Sequence, residues 1–419
     1  MGFFSIVFFS LFGIQALDYY SFVKYLKTTK FYKPAYKWYA LIPFLLFNVA
    51  FIFVLLVFGR RFSPPNWFII FGMMPFYVWM AATFFIGIWL LIGKLIKLPF
   101  LISTWLLKLI KPVKVWLEKI KNKRTVQIVD VSRRKFLRTA TFAVSSYAFA
   151  GAAYGIIRHD DFKIDSRQIK IANLPQELKG LTLTLVSDIH AGQFMMEDEM
   201  REYADIINNI GSDIIFIPGD FINFQIEDTP SVAHAFRDLK AKYGVYGSLG
   251  NHDFFVNADY VAEVISNESP VKLLRNKYDK ITVNGKDLFI LGVDDTRDAG
   301  IKMNEKILNY IDTTIGEAEA LHSSYKNSPK ILLCHKPYAF DEIAKRDLDL
   351  VLAGHTHGGQ VVPIKFGDFN LSFAAFVSKY ISGFYNIGSV NMYVSRGIGT
   401  VGLPIRLNCP PEITKITLV

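Results

Sequence analysis

The sequence predicts an α/β domain preceded by an N-terminal α-helical region, and three observations carry this. Apolar stretches of membrane-spanning length crowd the first 157 residues. Short apolar strands recur from Leu181 onward, and five of them end in clusters of Asp, Asn or His. Charge separates the same two parts: residues 1–157 hold 20 Lys+Arg against 3 Asp+Glu, net +17 in a chain of +10, which leaves about −7 for residues 158–419. The chain therefore reads as a membrane region, 1–157, followed by a second domain, 158–419. The basic charge belongs to the membrane part, and the acidic remainder argues against a nucleic-acid-binding surface.

A helix needs about 20 apolar residues to cross the hydrocarbon layer. Spans are expected at about 2–17, 39–58, 67–92 and 139–157, with Tyr and Trp at their flanks. Residues 94–120 alternate Leu, Ile and Trp with lysines, as an interfacial amphipathic helix does. Five lysines lie in Lys24–Lys37 and thirteen Lys+Arg in Gly93–Arg138, whereas the loop between spans two and three has only Arg60 and Arg61. Placing both basic loops in the cytoplasm gives four spans with both termini outside, and an extracytoplasmic second domain. Asp18, at the edge of the first span, is the one charged residue there, so the spans read as an anchor rather than an ion path. The segment Ser132-Arg133-Arg134-Lys135-Phe136-Leu137 is similar to a twin-arginine export signal, which implies the export machinery as a partner; an ordinary basic helix flank is the alternative. Ala148-Phe149-Ala150 fits a small-residue cleavage site, and cleavage and a retained anchor both stay open.

In the second domain, Leu181–Val186 leads into Ser187-Asp188-Ile189-His190, and a helix is expected over Glu197–Ile210. Ile214–Ile217 leads into Pro218-Gly219-Asp220, and Val245–Leu249 into Gly250-Asn251-His252-Asp253. Ile331–Cys334 leads into His335-Lys336-Pro337, and Leu350–Ala353 into Gly354-His355-Thr356-His357-Gly358-Gly359. Loops at the carboxyl ends of strands converge on ligands in such architectures. Oxygen and imidazole donors without thiolate suit Mn, Fe or Zn, and seven donors exceed what one ion needs. Two divalent ions about 3.5–4 Å apart activate water and stabilise both attacking and leaving oxygens. The two cysteines, Cys334 and Cys409, form no paired motif and read as unlinked, Cys334 as a small buried hydrophobe.

In order and spacing, Asp-x-His, Gly-Asp, Gly-Asn-His-Asp, His and Gly-His-x-His resemble the calcineurin-like metallophosphoesterase superfamily, over roughly Leu181 to Val419. Gly358-Gly359-Gln360, Ser395-Arg396-Gly397 and Pro410-Pro411-Glu412-Ile413 resemble the tail of its bacterial membrane-associated group. The resemblance implies a four-layer α+β fold, a two-sheet sandwich flanked by helices with the metals at one edge. It implies Asp188, His190 and His357 on one metal, Asn251, His335 and His355 on the other, and Asp220 bridging. It implies a bridging hydroxide as nucleophile, His252 as general acid, and Asp253 orienting that imidazole. Arg396 is expected either at the substrate phosphate or in a structural salt bridge, and Lys336 at the surface. Asn223 stands where many members have an acidic residue and where purple acid phosphatases have a ligand tyrosine, so that subgroup is disfavoured.

The implied activity is hydrolysis of a phosphomonoester, phosphodiester or pyrophosphate in a small molecule or lipid. Similarity to UDP-2,3-diacylglucosamine hydrolases of lipid A synthesis implies one such substrate. A non-catalytic membrane sensor on the same fold is the competing class. The apolar segment Leu371–Ile381 either packs in the core or forms a hydrophobic lip for lipid.

Overall fold

The computed structural model describes residues 3–57, 66–298, 300–367 and 369–419. It divides into two compact units, Met1–Ile156 and Ile157–Val419. The loop expected to hold Arg60 and Arg61 lies outside the described residues, as do Gly2 and Phe58 at the ends of two expected spans.

The first unit is helical: Phe3–Leu26, Tyr36–Val57, a run Ile69–Lys108 whose first turn is a π-helix, Lys111–Lys121 and Arg124–Ile157. Ile69–Lys108 and Arg124–Ile157, of 40 and 34 residues, are long and apolar enough to cross a membrane. One expectation is corrected here. The interfacial helix expected over 94–120 is divided: Lys94–Lys108 continues the third helix through Pro99, and a new helix starts at Lys111. Pro112 in its first turn explains the restart, because a fixed φ and a missing N–H suit a helix start. The basic stretch Arg133–Arg138 lies in the last helix, ahead of its apolar part, and Arg133 and Arg134 both pair with Asp130. Asp18 lies in the helix Phe3–Leu26 and is buried.

The second unit contains fourteen strands among the described residues: β1 (Lys163–Ile169), β2 (Thr182–Leu185), β3 (Ile214–Pro218), β4 (Val245–Ser248), β5 (Val271–Leu273), β6 (Lys277–Val283), β7 (Lys286–Gly292), β8 (Lys330–Leu333), β9 (Leu350–Ala353), β10 (Ile364–Phe366), β11 (Phe369–Leu371), β12 (Gly383–Ile387), β13 (Val390–Val394) and β14 (Glu412–Leu418). One six-stranded sheet runs β1-β14-β2-β3-β4-β5, the other β12-β13-β9-β8-β7-β6, and β10-β11 form a separate hairpin. β2, β3, β4 and β5 are parallel, as are β7, β8, β9 and β13, so the carboxyl ends within each set share an edge.

Alternation along the strands builds the layers. Ile214 and Phe216 of β3 face inward with Leu183, Leu185, Ile331, Leu333, Leu350 and Leu352, a core contributed by both sheets. Ile215 and Ile217 face outward onto Met200, Tyr203 and Ile207 of the helix Glu197–Ile210. Leu332 and Val351 face outward onto Met303, Ile307 and Ile311 of the helix Gly300–Leu321. Two-sided burial is why these strands read as continuous apolar runs rather than alternating ones. The result is a helix–sheet–sheet–helix sandwich. Phe216→Ala, at a fully buried position of the shared core, should destabilise by about 3–5 kcal/mol; a thermal shift of the purified full chain equal to that of an exposed-site control would contradict this placement.

Candidate metal centre

All seven expected donors meet at the carboxyl edges of the two sheets. Asp188 and His190 follow β2, Asp220 follows β3, and Asn251 begins the short helix after β4. His335 follows β8, and His355 and His357 follow β9. Six of these seven side chains, all but that of His355, belong to buried residues; His355 is only partly exposed. Two donor triads, Asp188–His190–His357 and Asp220–His335–His355, each have ligand atoms within 4.8 Å of one another. Asp220 Oδ2 lies 3.1 Å from His335 Nε2 and 3.5 Å from His190 Nε2, and so reaches both sets.

The backbone is bent to achieve this. Asp188, His190, Asp220, His355 and His357 all have φ between 50° and 73°, a left-handed region that non-glycine residues enter at a cost and that clusters at functional sites. Glycine is required at two neighbours: a Cβ on Gly354 would overlap the Asp188 carboxylate, and one on Gly250 the Asp220 carboxylate. Backbone donors then fix both carboxylates. His355 N–H donates to Asp188 Oδ1 at 2.8 Å, and His252 N–H to Asp220 Oδ1 at 2.8 Å. Ser187, which the sequence reading passed over, adds its hydroxyl to Asp188 Oδ2.

The donor atoms left over fit cations. His335 Nδ1 donates to the Pro218 carbonyl at 2.8 Å, which turns Nε2 toward Asp220 as the nitrogen that would bind a cation once deprotonated. Asn251 Oδ1 is buried and without a hydrogen bond. His190 Nε2 and His357 Nε2 lie 2.9 Å apart, joined by a hydrogen bond and close enough for both to reach one cation. Burial lowers His190 to about 3 and holds His355 and His357 well below the usual range, so three imidazoles are neutral. For His335 burial opposes the charged form, yet the Asp220 and Asp188 carboxylates raise it to about 10. Burial also opposes ionisation of Asp220, but His335 beside it draws that carboxyl well below its ordinary value. The metal-free centre thus holds a proton where a cation would sit.

Other expectations change. Asp253 does not orient the His252 ring; its carboxylate accepts from the backbone N–H groups of Asp220, Phe221, Ile222 and Gly250, tying the β3 and β4 loops together. The ring is held instead by its Nδ1 and the Asn223 carbonyl, 2.8 Å apart, and by Phe224 and Phe255, whose centroids lie 4.8 and 5.3 Å away. The backbone of Asn223 therefore does work that its side-chain identity did not advertise. Arg396 does not face the site as a phosphate ligand: it pairs with Asp165 at 2.9 Å and Glu412 at 2.6 Å. Lys336 is not at the surface but buried on Asp295, 2.9 Å away. Arg406 was missed altogether. Buried, it donates to the carbonyls of Arg396, Gly397, Gly399 and Cys409 and reaches within 3.4 Å of His357 Nδ1. Forty-nine residues of separation give no local signal for that contact. Cys334 and Cys409 are both free and buried.

Residues 181–359 match the family model for calcineurin-like phosphoesterases. Over these residues the chain is similar to the calcineurin-like phosphoesterase domain. A transmembrane protein with metallophosphoesterase domain from Danio rerio is 28% identical over 279 residues, covering 64% of this chain and 60% of the relative. An uncharacterized metallophosphoesterase of Campylobacter jejuni is 27% identical over 257 residues, covering 61% and 63%. One of Bacillus subtilis is 28% identical over 295 residues, covering 69% of this chain and 98% of the relative. The chain thus spans about three fifths of the length of the first two relatives and nearly all of the third.

Metal binding to this domain must displace the proton from His335. Because that nitrogen is protonated below about pH 10, apparent metal affinity should rise about tenfold per unit between pH 7 and 9, with about one proton released. Calorimetry in buffers of different ionisation enthalpy measures this; a pH-independent affinity would show that His335 is not a ligand.

Proposed function

We propose that residues 158–419 hydrolyse a phosphomonoester, phosphodiester or pyrophosphate with two divalent cations, Mn, Fe or Zn. The observation that carries this is the pair of buried donor triads sharing the reach of Asp220. Asp188, His190 and His357 would hold one ion, Asn251, His335 and His355 the other, and Asp220 both. When bound, such a pair supplies an activated water and neutralises phosphoryl charge. Asn251 contributes a carbonyl oxygen and no charge, which limits repulsion of an anionic substrate.

His252 is assigned the general acid. Its Nδ1–H is fixed on the Asn223 carbonyl, so Nε2 is the nitrogen left to pass a proton to a departing oxygen. Beside Asn251 and His355 opens a cavity of about 480 Å³, walled also by Lys336, Tyr338 and Arg297. That room favours a substrate larger than inorganic phosphate. Asp253 keeps the loops of the first sheet in register and does not touch the reaction.

The domain is assigned to the outer face of a membrane, carried by several spans. Relatives named transmembrane protein, two helices of sufficient length, and the basic segment Gly93–Arg138 ahead of the last apolar stretch support this. The similarity of Ser132–Leu137 to an export signal supports the same side. A reporter fused after Val419 that is active only in the cytoplasm would reverse that placement.

Two variants separate the roles. His252→Ala should keep both metals while turnover falls by about 10²–10⁴, least for substrates with good leaving groups. Asp220→Ala should lose metal and activity together. Metal analysis with a panel of aryl phosphates reads both, and equal metal content in the two variants contradicts the assignment. A wild-type protein that binds metal yet hydrolyses no mono-, di- or pyrophosphate ester would favour the sensor reading.

A further inference from the structure

The apolar segment that follows the ligand loop packs neither wholly in the core nor at random. β10 and β11 pair Ile364 with Leu371 and Phe366 with Phe369, and the short helix Ala374–Val377 comes next. Phe366 is 84% exposed, Phe376 78% and Val377 70%; Ile364 and Phe369 are exposed as well. Core packing, one of the two readings open from the sequence, does not hold for these side chains. Ser372, set against Gly359, and Tyr380, packed in the core against Phe340, are the buried exceptions within Leu371–Ile381.

The stem of this segment is tied to the metal centre. Asn370 Nδ2 donates to the Gly358 carbonyl at 3.1 Å, and the Thr356 hydroxyl donates to the Ile381 carbonyl. Both acceptor and donor on the other side belong to the loop that carries His355 and His357. Val377 also lines the cavity that opens beside Asn251 and His355. One apolar surface therefore runs from solvent to the rim of the substrate cavity.

Its occupant follows from chemistry. Aromatic side chains favour the headgroup level of a bilayer. Lys365, exposed, sits within the segment, where it suits anionic headgroups. The same chain carries two helices long and apolar enough to cross a bilayer, which keeps lipid at high effective concentration. We propose that Ile364–Val377 is a lip that seats in the headgroup layer and guides a lipid-borne phosphoester into the cavity beside Asn251 and His355. The guiding role rests on the hydrolase reading above; the seating does not.

The test uses the full chain in lipid nanodiscs. Phe376→Cys is labelled with a polarity-sensitive fluorophore, the native Cys334 and Cys409 being buried. Blue-shifted emission quenched by lipids brominated near the headgroup, with iodide quenching cut to roughly a fifth of that of the free dye, is expected. Water-like emission with full iodide quenching overturns the seating. In the second arm, Phe366→Ser with Phe376→Ser should lower kcat/KM about tenfold for a long-chain phosphomonoester in the same nanodiscs. A water-soluble aryl phosphate should be turned over as before. Equal loss on both substrates, or no loss on either, overturns the guiding role. A shielded label in a protein that hydrolyses neither substrate leaves the seating intact and removes the hydrolase reading instead.

Discussion

The constraint on which the rest depends is the burial of two carboxylates and four imidazoles around one point. Asp220 stands 3.1 Å from His335 Nε2 and 3.5 Å from His190 Nε2, with His357 Nε2 3.6 Å from Asp188 Oδ1. Away from water, such charges are tolerable only if something cationic neutralises them. In the metal-free protein that is the proton on His335, and in the loaded protein the ions would take over. Everything else positions these groups. No single loop could do so, because three strands of one sheet and two of the other each deliver one or two donors.

The sandwich solves that by sharing a core. Leu183, Leu185 and Phe216 of one sheet interdigitate with Leu333, Leu350 and Leu352 of the other, which fixes the two carboxyl edges side by side. The last few ångströms are made by strained backbone: five donors sit at positive φ. Asp253 offsets that strain by binding four N–H groups of the β3 and β4 loops, and Arg406 by binding carbonyls between Arg396 and Cys409. Both charges look catalytic in isolation and prove to be braces.

Substrate selection is built from different material than the metal cage. The cage is polar and buried, whereas the approach to it is half apolar: Phe224 and Phe255 flank His252, and Val377 borders the cavity. Arg297, Asp298 and Lys336, the last paired with Asp295, line the same wall. Under the hydrolase reading proposed above, an amphiphile with a phosphate at its head would match that division.

The sequence alone marked the seven expected donors, because each follows a strand by two to five positions and the strands stand out as short apolar runs. The helix Glu197–Ile210 and the boundary near residue 157 were legible for the same local reason, a change in periodicity or in charge. What only the tertiary structure decided depends on residues distant in sequence. That Asp253 binds backbone rather than His252, that Arg396 pairs with Asp165 and Glu412, and that Lys336 is buried on Asp295 follow from how separate loops meet. The exposure of Phe366 and Phe376 belongs there too, since an apolar side chain reads alike in a core and on a lip until its neighbours are in place.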